Sequence, residues 1–254
     1  MADIDSSVPF IKITGLRKSF GAQKVLQGVD LTIHKGETLT LIGPSGEGKS
    51  VLLKHIIGLL DPDAGKVELE GANLCNLGER RLAEVRRRMG YLFQNAALFD
   101  SLTVAENVAF PLREAGVSNQ EEIDRRVHDA LALVDLDEHA EKMPINLSGG
   151  MRKRVGIARA IIGRPQCILY DEPTAGLDPV VTDVIDNMIK RLQKRFQVTS
   201  IVITHDMGSV FKISDRVAML KHGQIAWIGT RDELRESKDP EIQYFIAGHS
   251  GISA

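Results

Sequence analysis

Hydrophobic and polar positions follow two different periods along the chain, and together they predict an α/β fold. Residues 10–14 alternate as a half-exposed strand does, residues 25–33 form a second strand-like run, and residues 38–42 are apolar enough for a buried strand. After a glycine-rich turn, apolar residues recur at helical spacing, at Val51, Leu52, Leu53, Ile56, Ile57 and Leu60. The chain is therefore predicted to open with strands that lead into a helix.

The middle of the chain, residues 94–163, favours helices instead. Ser118 and Glu121 have the spacing of a capping box and open an amphipathic segment that carries Val127, Leu131 and Val134. Pro144 precedes a further helix, predicted over about residues 149–162. A helical lobe inserted into an α/β core is the simplest interpretation.

The last third returns to alternating strands and helices. Strand signals cover residues 167–170 and 200–204, and a helix is predicted between them over about residues 179–196. Residues 217–228 have the pattern of a hairpin turning at His222 and Gly223, and Thr230 with Glu233 caps a last short helix. The chain shows no internal repeat, so one α/β unit is expected.

Composition narrows the class of protein. Among 254 residues, 32 Lys and Arg nearly balance 34 Asp and Glu, so the overall charge gives no reason to expect nucleic acid as a partner. Cys75 and Cys167 are expected to be small buried side chains in a reducing compartment. Residues 1–10 lack a basic-then-apolar signal, and no stretch approaches the ~20 apolar residues that span a bilayer. A cytosolic protein that reaches a membrane through a partner is the expectation.

A phosphate-binding loop, the P-loop, follows the third strand. It consists of Gly43, Pro44, Ser45, Gly46, Glu47, Gly48, Lys49 and Ser50, with Val51 at the start of the helix. Its glycines let backbone N–H groups converge on phosphate oxygens, Lys49 can reach the β- and γ-phosphates, and Ser50 can ligate Mg²⁺. Glu47 is expected to point to solvent, because its carboxylate would repel a triphosphate. A nucleoside triphosphate with Mg²⁺ is therefore predicted to bind here.

Acidic and polar residues at other strand ends supply the chemistry. Asp171 ends an apolar strand and suits a Mg²⁺ ligand, and Glu172 can deprotonate an attacking water. His205 closes a second strand and is expected beside Asp171 as a γ-phosphate contact. Gln94 ends the strand before the helical lobe, where it can touch Mg²⁺ and report to that lobe. Lys49, Gln94, Glu172 and His205 form the predicted catalytic set.

A second anion site opens the helix predicted from residue 149. Ser148 is a plausible N-cap, and Gly149 and Gly150 leave bare N–H groups at its positive end. Two phosphate-binding devices in one chain favour a head-to-tail dimer, in which each ATP lies between one P-loop and the partner's Ser-Gly-Gly turn. Asp178 lies where it could cross that interface. Arg152, Lys153 and Arg154 are expected to form a solvated helix face.

The ordered set of motifs resembles the ATP-binding cassette (ABC) family over nearly the whole chain. Residues 43–50 look like its Walker A motif, Gln94 its Q-loop, 147–151 its signature, 168–172 its Walker B motif, 175–178 its D-loop and His205 its switch histidine. The resemblance implies a P-loop NTPase (RecA-like) core with an antiparallel β subdomain and an inserted α-helical subdomain, one cassette over residues 8–249. The core would be residues 8–93 and 165–249 and the helical lobe 94–164. It also implies ATP as ligand, Phe20 stacked on adenine and a homodimer under a membrane permease.

A finer resemblance is to the ATPases of Mla/Mce-type lipid transporters. It rests on residues 48–54, 94–104, 107–114, 147–154 and 239–245. It implies an integral-membrane permease of that type, a Mce-domain lipid-binding protein, a small accessory subunit and phospholipid cargo. The protein would then work at the cytoplasmic face of the inner membrane, and residues 96–111, with Leu98, Phe99, Val108 and Phe110, would dock the permease.

Three alternatives stay open on the sequence. The same motor could serve a polar-nutrient importer, or act as a soluble ABC ATPase on DNA or ribosomes. A P-loop kinase for small molecules is a further alternative, although it leaves residues 147–151 unexplained.

Overall fold

Two sheets form the framework of the protein, whose computed structural model describes residues 9–247. The first sheet is antiparallel with strand order β2-β1-β4-β5, and the second has six strands in the order β10-β9-β3-β8-β7-β6. The strands are β1 (Pro9–Phe20), β2 (Gln23–His34), β3 (Thr38–Ile42), β4 (Ala64–Leu69), β5 (Ala72–Asn73), β6 (Met89–Leu92), β7 (Cys167–Asp171), β8 (Thr199–Ile203), β9 (Arg216–Lys221) and β10 (Gln224–Thr230).

Helices pack against both sheets. They are α1 (Lys49–Ile56), α2 (Glu79–Arg87), α3 (Val104–Glu114), α4 (Gln120–Leu133), α5 (Gly149–Ile161), α6 (Pro179–Phe196), α7 (Met207–Ile213), α8 (Arg231–Glu236) and α9 (Pro240–Ile246). Within residues 94–164, α3, α4 and α5 are joined by loops and short 3₁₀ turns. None of the helices in residues 9–247 has the length and apolar character needed to cross a membrane.

Parallel pairing brings several strand ends to one edge of the second sheet. β3 pairs parallel to β8 and β9, β7 to β8, and β6 to β7. Asp171 lies in register with Ile203, two residues before His205. The expectation that His205 follows a strand beside Asp171 is therefore confirmed. The predicted α/β class, with its antiparallel sheet, is confirmed as well.

The central strands are buried on both faces, as their unbroken apolar runs predict. Leu169 and Ile201 point to a core shared with the antiparallel sheet and α1. Tyr170 and Val202, on the opposite face, point to a core shared with α3, α4, α5 and α6. Because burying such a side chain contributes about 1.5–3 kcal/mol, these layers fix the strand ends that carry the polar residues.

Several local predictions need correction. The cap of α4 is Asn119, whose side chain accepts a hydrogen bond from the Glu122 N–H at 3.1 Å, so the cap lies one residue after the predicted Ser118 and the box predicted at Ser118 and Glu121 does not form. Asn is as good an N-cap as Ser, and the extended backbone at residue 119 selects it. The predicted box at Thr230 and Glu233 is confirmed.

The two cysteines differ in burial. Cys167 is buried as expected, and burial raises the pKa of its thiol, whereas Cys75 is only half-buried. Cys75 lies on a 3₁₀ turn capped by Asn73, which follows the short edge strand β5. The proposed limits of the cassette, residues 8 and 249, and the interpretation of residues 1–8 lie outside the described part of the chain.

Candidate active site

The P-loop joins β3 to α1 and requires glycine at its first position. Gly43 has φ of +140°, and a Cβ there would lie 2.1 Å from the Leu220 carbonyl oxygen. Gly48 is the N-cap of α1 and offers no side-chain cap, so the first N–H groups of α1 remain for an anion. The loop therefore has the open, backbone-lined form that phosphate binding needs.

Lys49 lies across this loop. Its Nζ donates hydrogen bonds to the carbonyl oxygens of Gly43 at 2.7 Å and Pro44 at 2.8 Å. Burial lowers the pKa of Lys49, and the nearby carboxylates of Glu172, Glu47 and Asp171 oppose that shift. The ammonium is thus placed at the loop before any phosphate arrives.

Glu47 does not point to solvent as expected. Its side chain is 19% exposed and lies 3.8 Å from Nδ1 of His222. Its negative charge also favours the charged form of Lys49. The positive charge of Lys49 attracts the carboxylate toward the protein, which is the physical reason for the correction.

Asp171 is held from two sides. Ser50 Oγ donates to its Oδ1 at 3.0 Å, and the Tyr91 hydroxyl donates to its Oδ2 at 3.2 Å. Burial and the charge of Asp171 raise the pKa of Tyr91, so the phenol stays a donor. Sequence reasoning missed Tyr91, because only the structure shows that β6 pairs with β7 and so brings this tyrosine beside Asp171.

Glu172 and His205 meet at the same edge. The His205 Nδ1 lies 3.0 Å from Glu172 Oε2, and the Glu172 side chain is 15% exposed while that of His205 is 67% exposed. Glu172 has φ of +51°, a left-handed conformation that is uncommon for this residue type. Its N–H donates to the Ile203 carbonyl oxygen at 3.0 Å, which ties the strained residue to the end of β8.

Lys153 corrects a second expectation. It is 5% exposed, and its Nζ donates to the Glu172 carbonyl oxygen at 2.7 Å and to that of Gln94. Burial lowers its pKa to about 8, against the favourable charges of Glu172 and Asp171. Arg152 and Arg154 do lie nearer the surface and donate to carbonyl oxygens of the helical segment. Lys153 is buried because α5 packs directly on β6, which local charge patterning does not reveal.

Gln94 and Phe20 remain at the surface. The Gln94 side chain is exposed, and the hydrogen bond to Lys153 uses its backbone oxygen. Phe20 is 48% exposed, with the Lys18 Nζ 5.7 Å from its ring centroid. In the described region no hydrogen bond connects the Gln94 amide to Ser50 or Asp171, although Lys153 links the Gln94 backbone to that of Glu172. The contact of Gln94 with Mg²⁺ and that of Phe20 with adenine stay predictions.

The Ser-Gly-Gly turn opens α5 as predicted. Ser148 Oγ accepts the Met151 N–H at 3.2 Å, and Asp178 Oδ1 accepts the N–H groups of Val180 and Val181 at 3.0 Å each. A Cβ at Gly150 would lie 2.5 Å from Val181 Cγ1, so the two helix starts pack closely together. Within residues 9–247, no hydrogen bond joins Ser148 or Asp178 to the P-loop. The second anion site predicted at this turn stays a prediction.

Comparison with known sequences identifies the family. The family model described as ABC transporter matches residues 26–175, more than half of the chain. "Probable ribonucleotide transport ATP-binding protein mkl" of Mycobacterium tuberculosis is 41% identical over 238 residues, covering 94% of this chain and 66% of that protein. "Methionine import ATP-binding protein MetN" of Brucella abortus is 41% identical over 221 residues, covering 87% and 60%. The chain thus spans 66% and 60% of the lengths of these relatives.

Solved structures agree in fold. The ATP-binding cassette MJ0796, solved as a dimer in a post-hydrolysis state bound to ADP and Pi, has a TM-score of 0.81 at 33% identity, covering 87% of this chain and 98% of that one. The cbiO1 protein of Clostridium perfringens, part of the ABC transporter complex cbiONQ, has a TM-score of 0.83 at 28% identity, covering 94% and 95%. With P-loop, acidic strand end and Ser-Gly-Gly helix start in the matched order, the chain belongs to the ABC transporter family as an ATP-binding cassette.

Proposed function

We propose that this chain is the ATP-hydrolysing subunit of an ABC transporter and works as a homodimer beneath a membrane permease. The observation that carries the proposal is the convergence of Lys49, the Ser50–Asp171 pair and the Glu172–His205 pair at one edge of the sheet. The dimeric MJ0796 cassette, bound to ADP and Pi, supports both the reaction and the assembly. The cytoplasmic face of the inner membrane is the proposed location.

The side chains divide the chemistry between them. Lys49 can exchange the carbonyl oxygens of Gly43 and Pro44 for phosphate oxygens, and the backbone N–H groups of residues 45–51 can surround those phosphate oxygens. The Glu172 carboxylate can take the proton of the attacking water. The ring of His205, with its Nδ1 3.0 Å from Glu172 Oε2, can hold that carboxylate in orientation. General-base assistance of this kind typically contributes about 10²–10⁴-fold in rate.

The oxygens of Ser50 and Asp171 fit a magnesium ion. They lie 3.0 Å apart at the mouth of the P-loop, and hard oxygen donors are those that Mg²⁺ prefers. Gln94 is proposed as a further oxygen ligand. When bound, the ion would neutralise phosphate charge that develops during hydrolysis.

A second copy of the chain would complete each nucleotide site. The N–H groups at Ser148, Gly149 and Gly150 form an anion site away from the P-loop of their own chain, and Asp178 lies next to them. A head-to-tail dimer would place this turn on the γ-phosphate of the partner's ATP. Phe20, exposed at the end of β1, is the proposed adenine platform.

Residues 94–164 are the proposed helical lobe, and its loop from Ala96 onward is the proposed docking surface for the permease. Phe99 is 44% exposed and its ring centroid lies 4.8 Å from that of Phe110. Buried Asn107 stabilises this loop by donating to the carbonyl oxygens of Phe99, Leu102 and Thr103. Val108 is fully buried and belongs to the core, so Phe99 is the better anchor.

The proposed cargo is phospholipid or a similar hydrophobic molecule. Residues 94–104 and 147–154, which resemble the Mla/Mce-type ATPases, support it. A permease of that type, a Mce-domain lipid-binding protein and a small accessory subunit are the proposed partners. The names of the relatives, ribonucleotide transport and methionine import, favour polar cargo as the second candidate.

The proposed hydrolysis is tested with Glu172→Gln. The variant should bind ATP, accumulate ATP-bound dimers and lose at least about 10²-fold in turnover, because the amide cannot accept the water proton. Glu79→Gln is the matched control, since this exposed carboxylate on α2 pairs with Arg86 of the same helix. Turnover at the control's level would remove Glu172 as the base.

The proposed cargo is tested separately by purifying the chain with its integral-membrane partner. Recovery with a Mce-type protein and extractable phospholipid is expected. Recovery with a soluble binding protein for a polar solute would reject the lipid cargo and leave the ATPase untouched.

A further inference from the structure

A buried lysine connects the signature helix to the catalytic edge of its own chain. We propose that Lys153 is a positioning residue, which holds the backbone of Glu172 and Gln94 in the arrangement that hydrolysis requires. The inference rests on the proposed role of Glu172 as the base. It goes beyond that role, because Lys153 touches neither the phosphates nor the water in this scheme.

The contacts of the ammonium are unusual for a lysine in a run of cations. Lys153 is 5% exposed, and its Nζ donates to the carbonyl oxygens of Gln94 and Glu172, the latter at 2.7 Å. A buried charge is costly unless it is hydrogen-bonded, so these two carbonyls are part of what keeps it there. One side chain therefore joins α5, the end of β6 and the end of β7.

The backbone that Lys153 contacts is strained. Glu172 has φ of +51°, and Ala96 and Ala97, just after Gln94, have φ of +59° and +45°. Such conformations persist only where the surroundings fix them. Arg159, also on α5, donates to the carbonyl oxygens of Ala96 at 2.6 Å and Ala97 at 2.7 Å. Two cations of α5 thus hold three strained residues at the site.

Lys153 should affect hydrolysis through the peptide group that follows Glu172, whose carbonyl oxygen it contacts. Without the ammonium, the peptide after Glu172 can relax toward an ordinary conformation, which turns the carboxylate away from His205. The loop around Lys49 makes its own hydrogen bonds and does not use Lys153. Loss of Lys153 should therefore reduce turnover and leave the affinity for ATP unchanged.

The placement on α5 also gives Lys153 a route to the other half of the dimer. It lies less than two turns from Ser148, the cap of the helix start that would face the partner's ATP. When the partner's ATP occupies that turn, the change can then reach Glu172 of the same chain through the Lys153 side chain alone.

The test compares kcat and KM for ATP in the full-length chain carrying Lys153→Met or Lys153→Gln. We expect Lys153→Met to lower kcat at least tenfold with KM within threefold, and Lys153→Arg, which keeps the charge and donors, to recover part of kcat. Arg154→Met is the matched control, because Arg154 is a neighbouring cation that also donates to two carbonyls, those of Val134 and Asp135. Its kcat should stay within threefold of wild type.

Two results would overturn the inference. One is Lys153→Met with kcat within threefold of wild type, and the other is equal loss of kcat in Lys153→Met and Arg154→Met. Should Lys153→Met fail to fold, Lys153→Gln decides by the same criteria. Glu172→Gln is measured in parallel: normal turnover there rejects the proposed base, whereas an inactive Glu172→Gln beside an active Lys153→Met rejects only the role of Lys153.

Discussion

At the scale of single residues, the P-loop depends on the absence of one methyl group. A Cβ at Gly43 would lie 2.1 Å from the Leu220 carbonyl oxygen on β9, with φ in a region open mainly to glycine. Gly71 shares a left-handed backbone, with φ of +82°, but a Cβ there has nothing within 4 Å. Comparing alanine substitutions at these two glycines therefore distinguishes the cost of steric overlap from the cost of backbone strain.

We expect Gly43→Ala to lose about 1–3 kcal/mol more stability than Gly71→Ala, because only the first forces a neighbouring strand to move. Urea unfolding measures the difference, and a nucleotide-binding assay should show weakened ATP binding in Gly43→Ala. Equal destabilisation of the two variants would show that strain, not overlap, decides.

Sequence motifs predict the site residues that are identified by their spacing along the chain. Lys49, Asp171 and Glu172 could be predicted because strand, turn and helix order fixes where they lie. Lys153 and Tyr91 could not, since their burial and partners come from packing between elements distant in sequence. Glu47 was misplaced for the same reason: His222, whose Nδ1 lies 3.8 Å from its carboxylate, belongs to a turn distant in sequence.

At the scale of elements, a buried carboxylate joins α6 to α7. Asp186 is 2% exposed, its Oδ2 accepts the Ser209 hydroxyl at 2.9 Å, and its Oδ1 finds no hydrogen-bond partner among residues 9–247. Burial raises its pKa from 3.8 to about 6; Ser209 and Lys212 act in the opposite direction, and Asp206 and Asp183 add to the rise. The folded state therefore holds this proton more tightly than the unfolded chain.

The sign of the pH dependence follows. Between about pH 4 and pH 6 the unfolded chain releases the Asp186 proton first, so this group lowers stability as pH rises, by at most about 3 kcal/mol. Asp186→Asn should be more stable relative to wild type at pH 7.5 than at pH 4.5, in urea unfolding at both values.

A control without this pH dependence is close by. Asp183 accepts from Lys212, which lowers its pKa, so its contribution to stability is nearly complete above the unfolded value of 3.8 and is lost only as pH falls below it. Asp183→Asn should therefore lose about the same stability at pH 7.5 and at pH 4.5. A pH-independent effect of Asp186→Asn would contradict the prediction.

Elements with a clear apolar stripe were predictable, and those without one were not. The 18 residues of α6 match their predicted limits because Asp178 and Pro179 mark the start of a strongly amphipathic run. α2 has no fully buried residue, and its apolar stripe consists only of the half-buried Leu82 and Val85, which is too short to predict a helix by spacing alone. β1 continues past Thr14 to Phe20 through irregular pairing, which alternation alone does not predict.

At the scale of the whole molecule, each chain carries two halves of different nucleotide sites. We expect Lys49→Ala chains mixed with Ser148→Arg chains to form heterodimers with one site free of both lesions. Glu172→Gln in every chain preserves bound ATP, and size-exclusion chromatography with ATP then detects the dimers. Either variant alone should stay monomeric, and absence of dimers in the mixture would argue against completion by a second copy.

The close fit of α5 sets how a force can pass through the cassette. A Cβ at Gly150 would lie 2.5 Å from Val181, and one at Gly156 would lie 2.6 Å from Leu92, so the helix is interlocked with α6 on one side and β6 on the other. Surfaces that interlock this closely resist sliding, so α5 is expected to resist movement relative to α6 and β6. A displacement of its first turn is therefore expected to move the whole helix and its neighbours as one rigid body. The hinges of such a motion then lie in the loops on either side of α5.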